Sequence, residues 1–181
     1  MNNVELKAEL RDLPLARLIA KAVGATFILS FDQTDTYYRV PSGKLKKRET
    51  TGEPVEYIFY ERPHKPTAKL SQFVIYSEEQ ALERFGREPL PVWVVVKKTR
   101  ELYMHANARI HLDTVEGLGT FLEFEALVSR VHDIEACTRQ VQTLREKFAP
   151  VLGELIACGY SDLLARDQDN TQSVRNEPRT Q

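Results

Sequence analysis

In several stretches of this chain, ionisable side chains recur at every second residue. In NVELKAEL, Asn3, Glu5, Lys7 and Glu9 alternate with Val4, Leu6, Ala8 and Leu10. Lys44, Lys46 and Arg48 share one parity in GKLKKRE, and Lys98 and Arg100 share one in VVKKTREL. Arg109, His111 and Asp113 do so in NARIHLD, and Glu123 and Glu125 in TFLEFEAL. A β-strand sends alternate side chains to opposite faces, so each stretch reads as a strand with a charged face. The opposite face is apolar in most of them. Carboxylates gather on the first and last of these strands, Lys and Arg on those between. Converging faces of this kind would build a cationic wall with an acidic corner. Such a wall suits a polyanion such as a triphosphate, because Lys and Arg donate to its oxygens. Convergent carboxylates suit a hard divalent cation that binds protein oxygens and substrate phosphates together. Alternation alone does not separate such a cavity from the wet face of an ordinary antiparallel sheet. The one-sign group Lys44, Lys46 and Arg48 speaks for the cavity, since like charges side by side repel unless an anion joins them.

The elements that must position these residues are strands in series with a few helices. After the first strand, LPLARLIAKAVGA places Leu15, Leu18, Ile19 and Ala22 on one helical stripe, with Gly24 as a stop. Strand-like segments follow at 26–30 and 34–40. GKLKKRETTGEPVEYIFYERP reads as a hairpin turning at Thr51-Gly52-Glu53-Pro54, and KLSQFVIY as a further strand. Ser77 lies three residues before Gln80, a capping-box spacing that opens a short helix. Three more strands carry the motifs from Val92 to Val128. Ile134, Cys137, Val141, Leu144 and Phe148 then make a helical apolar seam, and Pro150 precedes an expected second helix through Ile156. Strands in series without regular helix alternation indicate an antiparallel α+β fold.

At 181 residues the chain suits one well-buried domain, read here as residues 1–165. The stretch 166–181, with Val174 as its one apolar side chain, reads as a disordered tail. A composition 28% charged and 42% hydrophobic, with a net charge of -1, points to neither nucleic acid nor a membrane surface. No apolar run reaches the roughly 18 residues of a membrane span. The chain starts on a strand-like segment rather than a signal peptide, so a cytoplasmic protein is expected. Cys137 and Cys158 lack Cys or His partners at ligand spacing and read as buried fillers.

The motifs together resemble the CYTH, or triphosphate-tunnel metalloenzyme, family, and within it the class IV adenylyl cyclase-like branch. Its Glu-x-Glu-x-Lys signature is matched by Glu5 and Lys7. The resemblance continues through QTDTYYRVPSGKLKKRE, YERP, KKTRELY, ARIHLDTVEGLGTFLEFE and YSDLL, in order, to about residue 165. It implies a closed eight-stranded antiparallel β-barrel forming a tunnel, with helices packed outside. It further implies Mg²⁺ or Mn²⁺ as cofactor and a nucleoside or other triphosphate as ligand. A homodimer would also fit that branch. By the same resemblance, Glu5, Asp113, Glu123 and Glu125 are expected as metal ligands. Lys7, Arg48, Lys98 and Arg100 are expected as catalytic lining. Lys44, Lys46, Arg62, Lys69 and Arg109 are expected to bind the triphosphate, with Lys44 at the tunnel mouth. Tyr103 completes a Lys-x-Arg-x-x-Tyr pattern, while His105 and His111 read as surface or structural. Two positions depart from the family pattern: Asn3 replaces the first signature glutamate, and Glu61 precedes Arg62-Pro63 where relatives carry lysine. The implied activities are cyclisation of ATP, hydrolysis of inorganic or thiamine triphosphate, or triphosphate sensing without turnover.

Overall fold

The computed structural model describes residues 2–61 and 69–175, with side chains placed for 2–60 and 73–167. In chain order the elements are β1 (Asn2–Leu10), α1 (Leu13–Ala22), β2 (Thr26–Tyr38), β3 (Lys44–Thr50), β4 (Glu56–Glu61) and β5 (Lys69–Tyr76). There follow α2 (Glu78–Phe85), β6 (Val92–His105), β7 (Ala108–Val115), β8 (Gly119–Leu127), α3 (Ile134–Phe148), β9 (Leu152–Leu155) and α4 (Tyr160–Arg175). The architecture is α+β: a large antiparallel sheet ordered β5-β4-β3-β2-β6-β7-β8-β1-β9, with four α-helices. One edge of β1 pairs with β8. Its other edge pairs with β5 through residues 2–5 and with β9 through Ala8 and Leu10.

One face of the sheet packs under helices. Val4, Leu6 and Leu10 of β1, Ile110 and Leu112 of β7, and Leu122 and Phe124 of β8 form a core with Cys137, Val141, Leu144 and Phe148 of α3. Phe124 and Phe148 meet edge-on with centroids 5.3 Å apart. Ala16 and Ala20 bring α1 onto the same cluster. Three of the four helices have a local start signal: Asp12 caps α1, Asp133 caps α3, and Ser77 with Gln80 closes a capping box on α2. Because the apolar parity of β1, β7 and β8 is used here, their charged parity faces the opposite side.

That opposite side changes character along its length. On β2, Asp35 is followed at the same parity by Tyr37; on β6, Lys98 is preceded by Val96 and Val94. Asp113 gives way to Val115 and Glu123 to Phe121. Tyr37, Ile58, Tyr60, Val94, Val96, Val115, Phe121 and Tyr160 form a second core, joined by Leu163 and Leu164 of α4. The charged region is therefore backed by an apolar floor that α4 seals.

Local expectations change in three places. The segments at 26–30 and 34–40 form one continuous strand, β2, tied along its length to β6. No second helix runs through Ile156. A short 3-10 turn at Ala149–Val151 leads into β9, which takes the part of the β1 edge that β5 leaves open. Gly153 permits this close approach, since a Cβ there would lie 2.8 Å from the Cβ of Glu9. Helix α4 then runs to Arg175, into the stretch expected as a tail, where neither Pro nor Gly interrupts it. Among the described residues, no helix is long and apolar enough to cross a membrane.

Candidate functional site

The charged parities of the sheet meet on a cavity of about 120 Å³. Its charged lining comprises Glu5 and Lys7 from β1, Asp35 from β2, Lys46 and Arg48 from β3, Lys98 and Arg100 from β6, and Glu123 and Glu125 from β8. Ile58, Tyr60 and Phe73 form an aromatic-aliphatic side, and Tyr160 enters from α4. Eight of the expected site residues are thus brought together: Glu5, Lys7, Lys46, Arg48, Lys98, Arg100, Glu123 and Glu125.

The cations fall into two groups, each organised by a carboxylate. Asp35 organises the first. Its carboxylate accepts from Lys46 Nζ at 2.9 Å, from Arg48 Nε and Nη2 at 2.8 and 2.9 Å, and from Lys98 Nζ at 3.0 Å. Burial alone would raise the Asp35 pKa, but Lys46, Lys98 and Arg48 outweigh it and hold the carboxyl well below the usual range. Burial pushes Lys46 well below an ordinary ammonium, reinforced by Arg48 and opposed by Asp35. Lys98 is brought down to about 8 by burial, again against the pull of Asp35.

Asp113 organises the second group. Arg100 donates to both of its oxygens, at 2.7 and 2.6 Å, and Tyr160 OH donates to it at 2.8 Å. Despite burial, Arg100 brings Asp113 down to about 2. The remaining reach of Arg100 goes to Glu123 at 3.1 Å, which also pairs with Lys7 at 3.1 Å. Lys7 Nζ lies 4.1 Å over the ring of Tyr160, so the first turn of α4 contacts the charged region directly. His111 is buried, its Nδ1 3.7 Å from Glu123; burial and the nearby Arg100 lower its pKa, against the pull of Glu123.

Other expected residues lie elsewhere. Asp113 is fully buried behind Arg100 and does not line the cavity, so its carboxylate serves the guanidinium rather than facing a ligand. Arg109 is half exposed and pairs with Glu125 at 3.3 Å. Lys44 Nζ lies 2.5 and 2.6 Å from the oxygens of Asp162, pinning α4 to β3 instead of facing the cavity. Lys69 stands opposite Glu5 in the β1–β5 register, with its side chain outside the described residues, as is that of Glu61; Arg62 lies wholly outside them. Tyr103 packs on the outer core against Phe27, at 5.2 Å between centroids. Asp35 was absent from the expected set, although its parity with Tyr37 in one long β2 would have pointed to it.

For a metal, the donor set is two-sided. Among the described residues no three His, Cys, Asp or Glu side chains form a ready-made cluster. Glu123 is engaged by Lys7 and Arg100. Glu5 and Glu125 face each other across β1 and β8, and the Oδ1 of Asn3 is buried on the same cavity without a hydrogen-bond partner among the described residues. One or two carboxylates plus a neutral oxygen fit the way Mg²⁺ is held when substrate phosphates complete its shell.

Comparison with known proteins bears on the family and the fold. The CYTH domain family model matches residues 1–155. A relative in Methanocaldococcus jannaschii, 24% identical over 90% of this chain and 98% of its own length, is named a "putative adenylate cyclase". The PH1012 protein of Pyrococcus horikoshii superposes with a TM-score of 0.73 at 23% identity, over 89% of this chain and 98% of its own. A Hippeastrum protein, described as an adenylyl cyclase candidate that reveals a dominant triphosphatase activity, superposes with a TM-score of 0.58 at 13% identity, over 87% and 91% of the two chains.

Proposed function

The chain belongs to the CYTH domain family, and we propose that its cavity is the active site of a metal-dependent enzyme acting on a triphosphate. One observation carries this reading: Lys7, Lys46, Arg48, Lys98 and Arg100 converge with Glu5, Glu123 and Glu125 on a single cavity. In this proposal the β1–β5 pairing closes the sheet into an eight-stranded barrel, and the cavity is the inside of its tunnel. The register of Val4 with Leu70 and Glu5 with Lys69 supports the closure.

The favoured reaction is that of a class IV adenylyl cyclase, in keeping with the name of the M. jannaschii relative. The ribose 3′-oxygen of ATP attacks the α-phosphorus and the bond from that phosphorus to the bridging oxygen breaks. Pyrophosphate leaves, and the hydroxyl proton passes to solvent. Lys46 and Arg48 hold phosphate oxygens, while Arg100, fixed from behind by Asp113, presents its guanidinium edge to developing charge. Positioning and charge neutralisation carry most of such a reaction. Glu5 and Glu125, with the amide oxygen of Asn3, are the residues that would hold Mg²⁺ or Mn²⁺, which supplies charge neutralisation and Lewis acidity at phosphate oxygens. A triphosphatase reading, with water attacking the terminal phosphorus, is favoured by the activity described for the Hippeastrum protein.

Product analysis tests this. The purified protein is incubated with ATP, tripolyphosphate or thiamine triphosphate, each with Mg²⁺ or Mn²⁺, and the products are resolved by chromatography. Cyclic AMP and pyrophosphate from ATP are expected. Orthophosphate from any of the three would assign the hydrolase instead. Binding without turnover would make the protein a triphosphate sensor and overturn the enzymatic reading.

A further inference from the structure

Asp35 is the most heavily engaged side chain of the cavity. Its oxygens accept four charge-assisted hydrogen bonds, from three cations on two strands. Three of the four bonds fall on Oδ2 and one on Oδ1, about as many as the lone pairs a carboxylate offers. The comparison with Asp113 is informative. Asp113 balances Arg100 and takes one neutral hydroxyl, whereas Asp35 is the shared partner of Lys46, Arg48 and Lys98. The Asp35 wall therefore carries a local excess of cationic side chains, three of them sharing one buried carboxylate.

Burial divides the three cations. All four residues line the cavity, but the Lys98 side chain is 1% exposed and Asp35 2%, so these two sit deepest in its wall. Lys46 is 10% and Arg48 18% exposed, so these two are the more accessible to a ligand. A phosphate group presents the same kind of acceptor oxygens as a carboxylate, with more charge. We propose that Asp35 is a built-in counter-anion: in the empty cavity it holds the charge position that a phosphate takes over on binding, when Lys46 and Arg48 turn to the ligand and Lys98 stays on Asp35. Asp35 is thus a positioning residue that keeps the wall assembled without substrate and competes with the ligand for its cations. This inference rests on the cavity being a triphosphate site.

The competition gives a distinctive sign. Asp35→Asn keeps the size of the side chain and removes its charge. Loss of the internal competitor should tighten metal-free binding of tripolyphosphate by about ten-fold or more, the scale of a charged hydrogen bond given up. The same ligand should raise the melting temperature of the variant much more than that of wild type. Calorimetry and thermal melts, both with chelator present, read the two effects. A variant that unfolds alone but folds with tripolyphosphate supports the proposal, since the phosphate chain then replaces the carboxylate. Unchanged or weaker binding in the variant overturns it, as does failure to fold even with tripolyphosphate. If wild type binds tripolyphosphate neither with Mg²⁺ nor without it, the triphosphate-site reading itself has failed. Binding by wild type with no gain in the variant would sink the Asp35 inference alone.

Discussion

Lys98 shows how one residue's surroundings set a working range. Burial lowers its pKa to about 8, while Asp35 opposes the shift and Arg48 and Arg100 add to it. Only the ammonium attracts a phosphate chain, so affinity for tripolyphosphate should fall as pH rises past about 8. The stability effect has the opposite sign. The unfolded chain keeps this proton up to its ordinary value of 10.5, so between the two values it binds more protons than the folded state. Stability therefore rises with pH across that window, and the charged buried ammonium is a cost below it. Binding titrations below and above the folded value, on wild type and Lys98→Met, check the assignment. The variant should bind more weakly and lose the alkaline fall; a fall that persists would place the titrating group elsewhere. At this scale the charged faces were legible in sequence, because period-two alternation is a property of the strand itself. The partners were not. Asp113 shares its parity with Arg109 and His111, and only the β6–β7 register, which sets it opposite Arg100, turns it from an expected ligand into an ion-pair anchor.

Among the elements, α3 and α4 do different work on opposite faces of the sheet. Helix α3 supports the outer core, far from the charged side chains, and Phe148 is its largest buried contribution. Phe148→Ala should cost about 3–5 kcal/mol of stability through transfer and cavity terms. Affinity for tripolyphosphate per folded molecule should stay within two-fold. Urea unfolding and calorimetry separate the two, and a large loss of affinity at unchanged stability would contradict the assignment of this face as purely structural. The helix was legible because Cys137, Val141, Leu144 and Phe148 repeat at helical spacing. Helix α4 was readable only as the YSDLL motif, since its role depends on long-range partners: Tyr160 on Asp113 and Asp162 on Lys44. The strand β9 was hidden for a related reason. Its short LGEL segment has weak propensity, and what makes it a strand is the open edge of β1 together with the side-chain-free Gly153.

Over the whole molecule, a net charge of -1 conceals a strong internal separation. Five cations and the carboxylates that pair with them are gathered on one face of the sheet, while the apolar faces of the same strands lie under helices. The internal pairs keep the empty cavity near charge balance, so a triphosphate brings more negative charge than the wall can neutralise. A divalent cation beside Glu5 and Glu125 would restore the balance, which would give the proposed metal dependence a physical origin in this chain's own residues. The most direct test of the central claim is a crystal structure of the protein with tripolyphosphate and Mg²⁺. The account predicts the phosphate chain inside the cavity, on Lys46 and Arg48, with the ion toward Glu5 and Glu125. Phosphate density on the outer surface, such as the cleft beside α2 lined by Tyr38, Tyr57 and Phe85, with the cavity unfilled, would contradict it.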